Sequence, residues 1–169
     1  MLALAAALLS ASCLANHAEN FTLQAGSGNS VDVAGIGWEL PTDRCSESTR
    51  LHTGLLFRAD GWRGNASGGR RIADLSVTPF ARYELGRPLG VSFTAEAGIG
   101  VNLLSSTRVD DYRQFSTAFQ FGEFVGVGAR YGRRNEFQLG ARLQHVSNGG
   151  IKRPNDGLTY GMLFLNYRF

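Results

Sequence analysis

Val91-Ser-Phe-Thr-Ala-Glu-Ala-Gly-Ile-Gly-Val101 alternates without a break. Val91, Phe93, Ala95, Ala97, Ile99 and Val101 share one face, and Ser92, Thr94, Glu96, Gly98 and Gly100 share the other. Period two is the mark of a β-strand. The run exceeds the five or six residues usual in a soluble sandwich. An apolar face backed by glycines, hydroxyls and a carboxylate suits a transmembrane β-strand, with lipid on one side and a narrow lumen filled by side chains on the other.

The same pattern repeats on either side. Ala73, Leu75, Val77, Pro79, Ala81 and Tyr83 oppose Asp74, Ser76, Thr78 and Arg82, while Leu51, Thr53, Leu55 and Phe57 oppose His52 and Arg58. Period-two segments fall near 19–26, 30–40, 48–59, 72–84, 90–103, 115–131, 135–147 and 157–168. Turn chemistry separates them: Gly26-Ser-Gly-Asn29, the 41–47 segment, a long Asp60–Arg71 loop, tight Gly86-Arg-Pro-Leu-Gly90, Ser105–Gln114, tight Gly132-Arg-Arg-Asn135, and Asn148–Asp156. From the fourth strand on, tight turns alternate with longer loops, the asymmetry of outer-membrane barrels. The fold expected is all-β, an eight-stranded antiparallel transmembrane β-barrel of the outer membrane. It ends on Tyr167-Arg-Phe169, an aromatic close suited to the interfacial girdle. Glu96, Asp74, Arg58, Arg82 and Arg142 are expected to pair inside, because an unpaired buried charge is expensive.

Residues 1–18 read as a signal peptide, since Leu2–Ala15 is apolar, too short to span a membrane and ends in small residues. It lacks a basic leading segment. Residues 19–169 are then one domain. Cys13 within Ser10-Ala-Ser-Cys matches a lipobox only loosely, and removal of the leader leaves Cys45 alone, so no disulfide framework is expected. Lys152 is the only lysine among 17 basic residues. That arginine bias reads equally as coding preference or as provision for a phosphate-rich partner. The arginines are spread along the chain with no basic helix or RNA-binding motif, so nucleic acid is not expected. No His, Cys, Asp and Glu stand at metal spacing, and Gly35-Ile-Gly37 and Gly126-Val-Gly128 lie within strands, so neither metal nor cofactor is expected. His17 and His52 read as structural.

One pair departs from the pattern. His145 and Ser147 continue the apolar alternation Phe137, Leu139, Ala141, Leu143. Residues two apart in a strand share a face, so imidazole and hydroxyl can meet, the first requirement of a base-activated serine. In a membrane barrel that face is lipid.

His145-Val-Ser-Asn-Gly-Gly-Ile-Lys-Arg-Pro-Asn-Asp-Gly157 resembles the active-site segment of the outer-membrane lipid A 3-O-deacylases, the PagL family. The resemblance extends through Phe93–Arg108, with Glu96-Ala-Gly-Ile-Gly-Val101 and Thr107-Arg108, and through the strand spacing to Phe169. It implies a barrel whose catalytic pair faces the outer leaflet and hydrolyses the ester-linked 3-hydroxyacyl chain at position 3 of lipid A. Ser147 matches the nucleophile and His145 the base. Asn148, with the N–H groups of Gly149 and Gly150, is the expected source of oxyanion donors, and Asn155 is a further candidate. Gly149, Gly150, Lys152 and Arg153 are the expected substrate contacts. Lipid A or lipopolysaccharide is the implied partner, and a homodimer is compatible with such a barrel.

The chain departs from the family where the last strand should carry a glutamate, a position held here by Thr159. Pairing the last two strands about residue 152 puts 159 opposite His145. Pairing the two strands before about Gly132–Asn135 puts Glu123 across from Gln144 and His145, so Glu123 is the candidate acid and Asp156 the runner-up, the remaining alternative being a dyad with no acid at all. Two other functions fit an eight-stranded barrel: a non-enzymatic adhesin or anchor, and a lipid acyltransferase.

Overall fold

The computed structural model describes residues 19–42 and 50–169. The expected signal segment, Cys13, His17 and Cys45 lie outside them. Eight antiparallel strands close into one barrel in sequence order: β1 (Asn20–Gly28), β2 (Val31–Pro41), β3 (Leu51–Gly64), β4 (Arg71–Gly86), β5 (Ser92–Leu104), β6 (Phe119–Tyr131), β7 (Phe137–Ser147) and β8 (Leu158–Arg168). Closure comes from β1 pairing with β8, from Asn20↔Arg168 to Gly28↔Tyr160. Among the described residues the only helical turn is a 3₁₀ turn at Pro88–Gly90. Among the described residues no helix is long and apolar enough to cross a membrane.

The alternation sorts as expected. Leu23, Ile36, Leu75, Ile99, Val125, Leu143 and Leu163 point outward and are exposed. An apolar wall of that extent suits hydrocarbon rather than water. Aromatic rings gather where the chain ends: Trp38 meets Phe169 at 5.4 Å, and Phe137 lies between Tyr131 and Tyr167 at 5.6 and 5.2 Å. They form the girdle expected at one interface.

The lumen is packed in two layers. In the charged layer Arg82 donates to Glu39 at 2.8 and 3.0 Å and to Glu96 at 2.8 Å. Arg142 donates to Glu96 at 2.5 Å and lies 4.1 Å above the Phe164 ring. Two carboxylates and two guanidiniums so interlaced compensate one another, which removes most of the penalty of burying them. Arg58, expected in the same group, instead donates to Ser76 and Gln144 at 3.0 and 2.9 Å and pairs with Asp60 at 3.9 Å. Asp74 is engaged by Asn102 at 2.6 Å.

The second layer is apolar and sits toward the long loops. It contains Val31, Val33, Trp62, Ile72, Leu104, Val109, Phe115, Tyr160 and Met162. This plug explains two differences in strand boundaries. β3 runs on to Gly64, through the segment expected to be loop, because Trp62 points inward against Tyr160 with ring centroids 5.7 Å apart. An inward tryptophan inverts the polarity phase that marks a lipid-facing strand. Conversely, 115–118 is not strand: Phe115 is wholly buried as part of the plug, and β6 begins at Phe119.

The connections at the plug end hold one another. Asn65 donates its backbone N–H to Ser30 O at 3.0 Å, Arg70 to Val109 O at 2.9 Å and Asp111 to Ser67 O at 3.0 Å. The 105–118 loop bridges to 148–157 through Phe115↔Asn155. The end of β7 therefore emerges beneath a braced rim.

Candidate active site

β7 delivers the pair to the outer wall. Gln138, Arg142, Gln144 and Val146 are buried inside, whereas Leu139 and Leu143 are exposed to the outside. His145 and Ser147 follow the outward phase but are only half-exposed, because the 148–157 loop covers them. The register across the site is Ile99↔Glu123↔His145↔Thr159, with Val101↔Phe121↔Ser147 as the next row. Both sequence-derived pairings of His145, with 159 and with 123, are therefore present.

The imidazole is held at one end. His145 Nδ1 lies 2.8 Å from Thr159 Oγ1. The opposite ring edge faces Gly157: a methyl group built there would lie 3.0 Å from His145 Cε1, 3.4 Å from Nε2 and 3.8 Å from Ser147 Cβ. Base, nucleophile and Gly157 thus converge on one small space, which only a residue without a side chain leaves open. Gly157 also has φ +58°, the left-handed region that glycine enters without strain.

The residues after the nucleophile divide their work. Asn148, expected as a side-chain oxyanion donor, is buried, and both hydrogens of its amide are used elsewhere. Nδ2 donates to Ser116 Oγ at 2.9 Å and to Lys152 O at 2.7 Å. Its Oδ1 accepts the Gly150 N–H at 2.9 Å, and its own N–H goes to Asn155 Oδ1 at 3.1 Å. The alternation that sends Ser147 outward sends Asn148 inward. Of the expected donors, only the Gly149 N–H is directed at the nucleophile, 3.5 Å from Ser147 Oγ. Gly149 has φ +65°, and a methyl group built there would lie 3.4 Å from the Phe121 ring. Phe119 and Phe121 pack edge to face at 5.3 Å, an apolar shelf on the strand beside Ser147.

Glu123 sits across from His145 on the lipid side and is exposed. Among the described residues no ion pair joins the two, and Thr159 takes Nδ1. Asp156 is turned to the neighbouring loop, where its carboxylate accepts the Gln114 N–H at 2.9 Å. Lys152 and Arg153 are exposed at the rim.

One residue has no counterpart in the sequence reading. Arg113 donates to the carbonyl oxygens of Gly157 and Asp156, the latter at 3.4 Å. Its own loop is set by buried Asp110, whose Oδ1 accepts the N–H groups of Tyr112 and Arg113, each at 2.7 Å. Arg113 therefore clamps the backbone on which the space between His145 and Ser147 depends. The partners lie more than forty residues apart, so no local pattern announces them. Among the described residues no His, Cys, Asp and Glu cluster has the makings of a metal site.

Fold and site define an outer-membrane β-barrel that carries a serine–histidine pair on its lipid-facing wall. The chain belongs to the lipid A 3-O-deacylase (PagL) family, whose model matches residues 32–168. It is 36% identical to the lipid A deacylase PagL of Bordetella bronchiseptica over 108 residues, 64% of this chain and 57% of that protein. It is 33% identical to the Pseudomonas aeruginosa protein of the same name over 131 residues, 77% of this chain and 73% of that one. A crystal structure of the outer membrane enzyme PagL superposes with a TM-score of 0.73 at 26% identity, covering 89% of this chain and 99% of that one. The Yersinia pestis outer membrane protein Ail shares the barrel alone, with a TM-score of 0.50 at 12% identity, over 90% of this chain and 99% of that one.

Proposed function

We propose that this protein hydrolyses the ester-linked 3-hydroxyacyl chain at position 3 of lipid A, with Ser147 as nucleophile and His145 as general base. The observation that carries this reading is the outward placement of both side chains. A soluble esterase encloses its nucleophile, whereas a lipid substrate lies flat against a barrel wall. The open Nε2 edge beside Ser147 and the apolar shelf of Phe119 and Phe121 fit an acyl ester arriving from the leaflet.

In the reaction His145 Nε2 takes the Ser147 hydroxyl proton as Oγ attacks the ester carbonyl carbon. The oxyanion formed is met by the Gly149 N–H, and preorganised donors of this kind are each worth roughly 2.7–4 kcal/mol. Collapse releases the sugar hydroxyl, which takes the proton back from Nε2, and water then cleaves the acyl-serine by the same relay. The mechanism requires Nδ1 to carry its proton toward Thr159 Oγ1, 2.8 Å away, an acceptor that orients the ring and leaves Nε2 free. Glu123 adds a negative field on the opposite flank of the ring. Lys152 and Arg153, exposed on the covering loop, suit the phosphates of the substrate.

Lipid A from cells making the protein, analysed by mass spectrometry, tests the reading. A hydrolase removes one hydroxyacyl chain, a transferase adds mass and an anchor changes nothing. Family membership favours the first.

A further inference from the structure

Several arginines of this barrel have side-chain partners: Arg58, Arg82, Arg142 and Arg130 in the lumen, Arg87 with Glu84, Arg108 with Asp111, and Arg113 with loop carbonyls. One group differs. Arg63, at the end of β3, and Arg71, at the start of β4, face one another directly in the register, and both point outward and are exposed. Arg70, next to them in the connecting loop, is exposed too, and its backbone is held by Val109 and Gly64. Among the described residues, no side-chain hydrogen bond or ion pair forms on any of the three. The adjacent carboxylate, Asp32, pairs in register with Arg63 but is approached by Asn65 Nδ2 at 3.5 Å.

Like charges directly opposite on one face of a sheet are destabilising. Here they are held at the rim, immediately beyond the lipid-facing residues Ala73, Leu75 and Val77, with Leu75 59% exposed. Two guanidinium forks side by side, above an apolar wall, match a phosphate group whose own acyl chains run down that wall. We propose that Arg63 and Arg71, with Arg70, form a second lipid site, which takes the phosphate of a phosphorylated glycolipid in the leaflet at the loop end. The site is remote from Ser147. Around the closed barrel, β4 is separated from β7 by β5 and β6, and β3 by β2, β1 and β8. A lipid held there is a standing neighbour of the barrel and is separate from the substrate being cleaved.

The test counts retained lipid by native mass spectrometry, in a Ser147→Ala background so that turnover does not alter the ligand. The probes are bis-phosphorylated lipid A, the same glycolipid with its phosphates removed, and inorganic phosphate. The expected result is one additional bis-phosphorylated lipid on the parent barrel. Retention of that lipid should fall roughly tenfold or more in Arg63→Gln/Arg71→Gln, as for loss of charge-assisted hydrogen bonds. The difference should vanish with the dephosphorylated probe. Arg63→Lys/Arg71→Lys, which keeps the charge and guards against a folding defect, should fall between the two. Equal counts in parent and Gln variants would overturn the site, as would a difference that persists without phosphates. Inorganic phosphate displacing the lipid at equal concentration would reduce it to a general anion site. The count does not depend on acyl cleavage, so a barrel that fails to deacylate still answers the question.

Discussion

His145 Nδ1 and Thr159 Oγ1 lie 2.8 Å apart across the β7–β8 pair, so a hydroxyl occupies the place where a serine hydrolase usually sets a carboxylate. A hydroxyl can accept the Nδ1–H and orient the ring but brings no charge to offset an imidazolium. The enzyme is therefore expected to respond to both kinds of change at position 159. Thr159→Val should lower kcat about tenfold, the scale of one lost hydrogen bond, and Thr159→Ser should restore it. Thr159→Glu should raise kcat above the parent. Steady-state deacylation rates on purified lipid A check all three.

Glu123 offers a contrast with Thr159. It touches the ring only through the field it casts from the neighbouring strand. Glu123→Gln should cost roughly threefold in kcat, below about 1 kcal/mol, as for an exposed charge pair. A loss as large as that of Ser147→Ala would instead make Glu123 the true third member of the triad.

Gly157 is the most sterically exacting position of the site. Gly157→Ala places a methyl group 3.0 Å from His145 Cε1 and forces φ +58° on a residue with a side chain. The backbone strain alone is about 1–2 kcal/mol. Activity should fall by at least tenfold while the protein still shows the heat-modifiable migration of a folded barrel on gels.

Arg113 should behave as a positioning residue. Arg113→Ala frees the carbonyls of Asp156 and Gly157, so kcat should drop with little change in KM. Hydrogen exchange should rise across 148–157 and stay unaltered in β1–β4. Arg113→Lys should recover part of the rate.

The lumenal charges should govern stability without touching the chemistry. Glu96→Ala strips Arg82 and Arg142 of one shared carboxylate. Breaking a buried pair in this way costs about 3–5 kcal/mol. Urea unfolding of the detergent-solubilised barrel should show the loss, and the residual folded protein should retain its specific activity.

What could be read in the chain follows from which contacts leave a periodic trace. The 91–101 and 73–83 alternations survive in β5 and β4 because each outward residue meets lipid and each inward one meets the lumen. The registers of His145 with 159 and with 123 follow from counting back across the Asn148–Asp156 and Gly132–Asn135 connections. Trp62 and Phe115 defeated the same logic, since an apolar plug inside the barrel makes inward positions look outward. Asp60, a buried partner of Arg58, lies in the stretch whose turn chemistry reads as loop, and Glu39 meets Arg82 across 43 residues of sequence, a contact that leaves no local trace. Asn148 was legible as part of the site, but its inward direction depends on the alternation running one residue past Ser147. Arg113 left no trace at all, its role being set by the contact of two loops.

The central claim is that the lipid-facing Ser147 cleaves an acyl ester of lipid A. Mass spectra of lipid A from cells making either the parent protein or Ser147→Ala, at matched levels of folded barrel in the outer membrane, test it most directly. The parent should produce lipid A lacking one hydroxyacyl chain, and Ser147→Ala should leave the lipid intact. Deacylated lipid A in cells carrying a properly inserted Ser147→Ala barrel would contradict the account.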